Sequence, residues 1–192
     1  MKIEGSSIAF IVICTGLVFL MTPALAFFYG GLERRKNVIS TMMMSVVSLA
    51  LATVMWFAVG YSLSFSGDGN LIGDLGHAFF QGVSDSESTR GLTIPDSLFA
   101  VFQMMFSIIT VGILTGSVAG RMRFKPLLIF IVGWLLLVYY PFAHMVWDGG
   151  LLAQWGTIDF AGGDVVHITS GVSGLVLALV VGKRKDFNRL EY

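Results

Sequence analysis

The stretch that decides the fold is WGTIDFAGGDVVHITSGVSG, which runs from Trp155 to Gly174. Nine consecutive residues of this stretch contain two carboxylates, Asp159 and Asp164, and one imidazole, His167. After Asp164 the chain continues as VVHITSGVSGLVLALVVG, which at about 1.5 Å per residue covers most of a hydrocarbon layer of about 30 Å. We therefore expect a membrane helix that contains His167 about one turn from its start.

His167 has two interpretations at this stage. An ionisable side chain inside a membrane helix is costly, and by default it indicates a functional site. The alternative is that a neighbouring helix caps the imidazole, which then has no role in transport. Position alone leaves both interpretations open.

The composition is that of a polytopic, all-α membrane protein. Of the 192 residues, 55% are hydrophobic and 12% are charged, whereas soluble domains carry about twice that charged fraction. The single cysteine, Cys14, lies in an apolar run, so we expect neither a disulfide framework nor a thiolate metal site. The formal net charge of zero gives no support for a nucleic-acid-binding surface.

The apolar runs predict one membrane domain over residues 1–192 with five transmembrane helices, at about 7–31, 39–65, 95–119, 126–147 and 164–182. The first run could be mistaken for a signal peptide, because Lys2 precedes it and ALA at 24–26 resembles a cleavage site. Glu4 and the apolar FFYGG beyond that site argue against cleavage. The loop between the second and third runs could hold a short helix around Asp74–Gln81.

Basic residues are unequally distributed between the predicted loops. Lys2 and Arg90 are the exceptions among the twelve Lys and Arg residues; the other ten follow the first, third and fifth runs. The positive-inside rule then places the N-terminus outside and the C-terminus in the cytoplasm, which requires an odd number of spans. These ten are Arg34, Arg35, Lys36, Arg121, Arg123, Lys125, Lys183, Arg184, Lys185 and Arg189.

The chain lacks the common motifs of enzymes. It contains no GxSxG elbow, HExxH pair, phosphate loop or dinucleotide fingerprint. No two histidines have helical ligand spacing, so we expect no metal site and no cofactor. Asp159 and His167 could act as an acid–base pair, but nothing resembles a nucleophile beside them. We predict no catalytic residues and keep a membrane enzyme only as an alternative.

Three aromatic residues are candidates for binding a cation. Phe102 and Phe106 are four residues apart and share one helix face, and Trp147 ends the fourth run at the predicted outer side. Aromatic faces at a pore mouth could hold a cation, each with about 0.5–2 kcal/mol. The alternative is that both phenylalanines are packing residues and that Trp147 is an interfacial anchor.

The two carboxylates before the fifth run invite different interpretations. Asp159 is either a solvated loop group or a buried one that accepts backbone N–H bonds and adds negative potential at an entrance. Asp164 resembles a helix cap or first-turn residue, because the helix dipole favours an acid there. We assign Asp164 no role in transport.

Three segments carry a family resemblance. The match covers nearly the whole chain, with the segments in the same order as in the family. MTPALAFFYGGLERRKNVISTMMM at 21–44 resembles the first-helix signature of the Amt/Mep/Rh ammonium transporter family, and FQMMFSIITVGILTGSVAGRMRF at 102–124 resembles its third helix. PFAHMVWDGGLLAQWGTIDFAGGDVVHI at 141–168 resembles its fourth helix and the start of its fifth. The chain then corresponds to the first half of the family's eleven-helix fold.

The resemblance implies a role for each candidate residue. Trp147 and Phe102 match aromatics of the outer ammonium-recruitment site, and Phe106 matches one ring of the phenyl gate. Asp159 matches a carboxylate with a structural and electrostatic role. His167 matches the first of two pore histidines that relay the proton as ammonium is deprotonated. Trp147 also favours the ammonium-transporter branch over the Rh branch.

The resemblance further implies a homotrimer in the cytoplasmic (inner) membrane, with ammonium or ammonia as substrate and a PII-type protein as possible cytoplasmic regulator. Asp148 departs from the family's usual glycine and is expected to add negative charge at the mouth; Asp164 and Gly120 also vary from the expected pattern. Because only half of the family fold is present, we expect a fragment or a chain that pairs with another. A non-conducting ammonium-sensing module is the alternative function.

Overall fold

The computed structural model describes residues 2–184, and within that range every regular element is helical. Lys185 and Arg189, which were counted among the predicted cytoplasmic basic residues, lie outside the described residues. Five helical spans are long and apolar enough to cross a membrane, which confirms the predicted number. They are Gly5–Leu32, Val38–Phe65, Asp96–Ser117, Phe124–Gln154 and Gly163–Val181, called here the first to the fifth span.

Three of the spans contain a π-helical turn. In the second span, Trp56–Gly60 separates the α-helices Val38–Met55 and Tyr61–Phe65. In the fourth, Leu135–Tyr139 separates Phe124–Trp134 from Tyr140–Trp147, and a short helix Leu151–Gln154 follows the bend after Trp147. The fifth begins with Gly163–Ile168 and continues as Thr169–Val181. Such turns are rare and are found disproportionately at functional sites.

Glycines allow two close helix contacts. A Cβ atom on Gly60 would lie 2.5 Å from Cζ of Tyr140, so the second and fourth spans meet only because that atom is missing. A Cβ atom on Gly116 would lie 2.3 Å from Cζ of Tyr29, whose hydroxyl donates to the Ile113 carbonyl at 3.0 Å. Small residues at helix contacts are typical of membrane proteins, in which close backbone approach replaces the hydrophobic effect.

The core lies between the second, third and fourth spans. Its largest fully buried side chains include Trp56, Tyr139 and Tyr140. The indole N–H of Trp56 donates to the Ala100 carbonyl at 3.1 Å and thus joins the second span to the third. The first span, by contrast, exposes much of its apolar surface, as expected for a helix that faces lipid or another subunit.

The loop of residues 66–94, called here the outer loop after its predicted side of the membrane, joins the second span to the third and is mostly irregular. The helix predicted around Asp74–Gln81 was wrong in extent: only the single 3₁₀ turn Ala78–Phe80 forms. Phe79 and Phe80 have φ angles of 54° and 58°, which an α-helix does not allow. Earlier in the loop, the Asp74 carboxylate accepts hydrogen bonds from the Ser66 hydroxyl and from the Gly76 N–H.

Candidate functional site

The structure brings the three predicted aromatic residues together in one cleft. The rings of Phe102 and Phe106 meet at 90° with centroids 5.0 Å apart. The Phe106 ring in turn contacts the indole of Trp147, with centroids 6.1 Å apart. All three line an open cleft of about 500 Å³ between the third span, the end of the fourth and the segment before the fifth. A cation that enters this cleft therefore meets several ring surfaces at once.

Sequence reasoning missed part of the cleft wall. Phe99 precedes Phe102 by three residues, so helical spacing alone could have added it to the same face. Gln103 also lines the cleft, and its amide oxygen is buried without a hydrogen-bond partner among the described residues. No periodic signal pointed to the other wall residues, because they lie in other segments. Those residues are Phe65, Phe160, Ala161 and Gly162.

Asp159 lies on the cleft wall and caps the N-terminus of the fifth span. Its carboxylate accepts the backbone N–H groups of Gly163 at 2.7 Å, Asp164 at 3.2 Å and Val165 at 3.0 Å. Gly162, with a φ of 76°, allows the left-handed turn that brings these groups to one carboxylate. The side chain is half-buried, so its burial is intermediate between the solvated group and the buried group that the sequence left open. Helix N-termini favour negative charge, so a carboxylate suits this position.

Asp164 lies in the first turn of the fifth span, as the sequence predicts. It does not act as the cap, because Asp159 accepts its N–H group and those of the residues on either side.

His167 lies in the π-helical turn of the fifth span but outside the cleft. Its backbone N–H donates to the Gly162 carbonyl at 3.1 Å, and its own carbonyl accepts from Ser170 Oγ at 3.3 Å. The side chain is exposed, and it shares an exposed side of the helix with Ile168 and Val172. The structure therefore places the predicted recruitment residues together and places His167 further along the same helix as Asp159.

Asp148 does not stand as an isolated charge at the mouth. Its carboxylate forms an ion pair with Arg90 of the outer loop. The expectation that Asp148 adds negative charge was therefore incomplete, since a neighbouring cation balances it. Among residues 2–184, no group of three or more His, Cys, Asp or Glu side chains could hold a metal ion.

The comparisons with known proteins agree with one another. A family model described as Ammonium Transporter Family matches residues 9–191. An "Ammonium transporter" of Bacillus subtilis (strain 168) is 51% identical over 177 residues, which cover 92% of this chain and 44% of that protein. The crystal structure of Saccharomyces cerevisiae Mep2 has 37% sequence identity and a TM-score of 0.86, covering 95% of this chain and 42% of that one.

A further solved structure, described as "Sensor Amt Protein", has 29% sequence identity and a TM-score of 0.81. It is matched over 93% of this chain and 45% of its own length. The chain thus spans less than half the length of each of these relatives.

Proposed function

This chain belongs to the Ammonium Transporter Family, and we propose that it forms the outer recruitment site and one wall of the pore of an ammonium transporter. The family is one of transporters and not of enzymes, in agreement with the absence of catalytic motifs. The observation that carries the proposal is the cleft that Phe102, Phe106 and Trp147 line together, with Asp159 on its wall.

The aromatic cleft suits recruitment of a small cation. An ammonium ion over these rings gains about 0.5–2 kcal/mol per ring, whereas neutral ammonia lacks the charge that the ring quadrupole attracts. Phe102 and Trp147 form the recruitment surface, and Phe106 lies between them, where it can act as one ring of a gate. This division of roles follows the family resemblance together with the observed order of the rings.

Asp159 acts through its charge and its capping role and not as a direct ligand of ammonium. Three backbone N–H groups occupy its oxygens. Its negative charge still lies on the cleft wall, where it favours a cation over a neutral molecule. Loss of this side chain would therefore affect both the start of the fifth span and the potential at the entrance.

His167 is proposed as the first proton relay beyond the gate. A neutral imidazole has one donor and one acceptor nitrogen, so it can accept a proton on one side and release one on the other. The exposed side of the fifth span, which carries His167, is the surface that would line the pore once its second wall is in place.

The assembly and its environment belong to the same proposal. We place the protein in the cytoplasmic membrane with its N-terminus outside, as a homotrimer that a PII-type protein can contact on the cytoplasmic side. The second wall of each pore would come from the remainder of a family-length protein or from a second chain. The experiments should therefore use the natively expressed polypeptide. A family-length intact mass would indicate the first source of the second wall, and the mass of this chain alone would indicate the second.

The test is ammonium-evoked current across membranes that contain the natively expressed protein. The His167→Ala variant should lose charge-coupled transport, because it removes a proton carrier from an apolar path. Ile168→Ala is the matched control, since Ile168 is an exposed neighbour on the same helix that carries no titratable group. Full electrogenic current in His167→Ala would refute the relay.

A sensing module is the second candidate, favoured by the similarity to the structure described as a sensor protein. A sensor would bind ammonium at the aromatic cleft without carrying current, and its response would survive His167→Ala. Ammonium binding measured alongside current separates the two functions.

A further inference from the structure

An ion pair joins the outer loop to the bend that follows Trp147 in the fourth span. Arg90 Nη2 donates to Asp148 Oδ1, and Arg90 Nη1 donates to the Phe65 carbonyl at 3.1 Å. The two side chains are only 22% and 11% exposed. Because the pair is partly shielded from solvent, its charges are screened less than those of a surface pair. The contact links three segments that lie far apart in the sequence.

The Arg90 guanidinium lies over two rings of the cleft wall. Its Cζ atom is 5.1 Å from the ring centroid of Phe65 and 4.9 Å from that of Phe99. Both distances fall within the range of cation–π contacts. An internal cation thus occupies these two faces, and an arriving cation is left with the remaining aromatic residues of the cleft, namely Phe102, Phe106, Trp147 and Phe160.

Asp148 also lies beside a buried histidine on its other side. Asp148 Oδ2 lies 3.5 Å from Nδ1 of His144, which is 1% exposed. The two ring nitrogens of His144 also lie 3.2 Å and 2.5 Å from the carbonyl oxygens of Ser64 and Gly69. The carboxylate therefore lies between Arg90 and His144, directly after Trp147 in the chain.

Arg90 and Trp147 also flank one opening. Beside the main cleft, a space of about 450 Å³ is lined by Thr89, Arg90, Leu92, Phe99 and Trp147. Phe99 and Trp147 line both spaces. A shift of the Arg90 side chain would therefore change access to the outer side of the recruitment cleft.

We propose that Arg90 and Asp148 are positioning residues for the outer cleft. Their ion pair fastens the outer loop over Phe65 and Phe99, keeps the Arg90 charge neutralised and thereby sets the affinity for the incoming cation. The effect on affinity rests on the proposed transport function, whereas the fastening of the loop does not. Asp148→Asn keeps the size of the side chain but removes its charge, so it frees the loop and leaves an uncompensated cation beside the cleft.

Trypsin provides a test that does not depend on transport. Arg90 is the only Lys or Arg in residues 66–94, so cleavage after it yields a unique pair of fragments that mass spectrometry identifies. In the solubilised, natively expressed protein, we expect cleavage after Arg90 to be roughly tenfold faster in Asp148→Asn than in the unaltered protein. Asp85→Asn removes an exposed carboxylate from the same loop and serves as the control. Equal cleavage rates in all three proteins would overturn the fastening of the loop.

Uptake kinetics test the effect on the cleft. We expect Asp148→Asn to raise the KM for ammonium by roughly three- to tenfold while Vmax is retained, because the unpaired Arg90 repels the substrate. The charge-swapped protein, Arg90→Asp with Asp148→Arg, should recover part of the KM, because it restores a pair of opposite charges at the same two positions. Faster cleavage with an unchanged KM would overturn the positioning role.

The trypsin and uptake experiments distinguish a failure of the proposed function from a failure of the proposed ion-pair role. An unaltered protein that carries no ammonium would refute the proposed function, while the trypsin result would still decide the fastening of the loop. Asp148→Ser, which also removes the charge, replaces Asp148→Asn in both arms if the latter does not fold.

Discussion

The Phe106 ring stands edge-on to the indole of Trp147, with centroids 6.1 Å apart and planes inclined by 71°. Phe106 belongs to the third span, and Trp147 ends the helix Tyr140–Trp147 of the fourth, so this contact joins two membrane helices. Edge-to-face pairs leave one ring face free, which is the surface that a cation uses.

Replacement of Trp147 by leucine should weaken ammonium binding while turnover is retained. The change removes one cation–π surface, worth about 0.5–2 kcal/mol, but no proton carrier, so the KM should rise about 2- to 30-fold. Methylammonium or ammonium uptake measured over a range of concentrations gives the KM. Trp155→Leu is the control, because Trp155 is exposed and does not line the cleft. Equal KM values in both variants would argue against recruitment at Trp147.

Two substitutions at Asp159 should separate its charge from its capping role. Asparagine offers one acceptor oxygen where Asp159 uses two, so Asp159→Asn should keep part of the cap, lose less stability than Asp159→Ala, and still lose transport with the charge. Asp159→Ala should lose transport and, in addition, about 0.5–2 kcal/mol of stability. Thermal unfolding and uptake of the same preparations check both effects. Normal transport by Asp159→Asn would show that the charge is dispensable.

Gly60→Ala should destabilise the contact between the second and fourth spans. The added Cβ atom would lie 2.5 Å from Cζ of the buried Tyr140, and overpacking of this kind costs about 1–3 kcal/mol. Unfolding in detergent measures the loss. Gly133→Ala is the matched control, since a Cβ atom there meets nothing within 4 Å. If both variants unfold alike, the helices can separate without cost.

Acid should loosen the first part of the outer loop at a pH set by Asp74. The Ser66 hydroxyl, followed by the Gly76 N–H, stabilises the carboxylate and lowers the pKa of Asp74 below the ordinary value for aspartate. A lowered folded-state pKa means that this stabilisation is present above the unfolded pKa and is lost as the pH falls through the folded one. The NMR signal of the Gly76 amide should therefore titrate with a midpoint below the ordinary value for aspartate.

Asp74→Asn should abolish this titration, whereas Asp68→Asn, at an exposed position in the same loop, should leave it in place. A midpoint at or above the ordinary value for aspartate would contradict the role of these hydrogen bonds.

The sequence was sufficient for the number of membrane helices, because each apolar run is long enough to cross a bilayer and hydropathy is a local property. It also paired Phe102 with Phe106, since helical spacing places them on one face. It could not bring Trp147 to them without the family resemblance, because that contact depends on how two helices pack. The ion pair of Arg90 and Asp148 could not be predicted from the sequence. Arg90 lies in an irregular loop, which has no periodicity that would indicate the directions of its side chains.

The side of the fifth span that carries His167 constrains the evolution of whatever covers it. The other exposed large side chains of this span are all apolar, so the imidazole is the single titratable group on that surface within the described part of the span; they are Ile168, Val172, Leu175, Val176, Leu179 and Val180. In a medium without water, such a group needs a hydrogen-bonding side chain opposite it. A substitution of His167 or of the side chain opposite it would leave the other without its hydrogen-bond partner. The two positions should therefore change together across lineages or not at all.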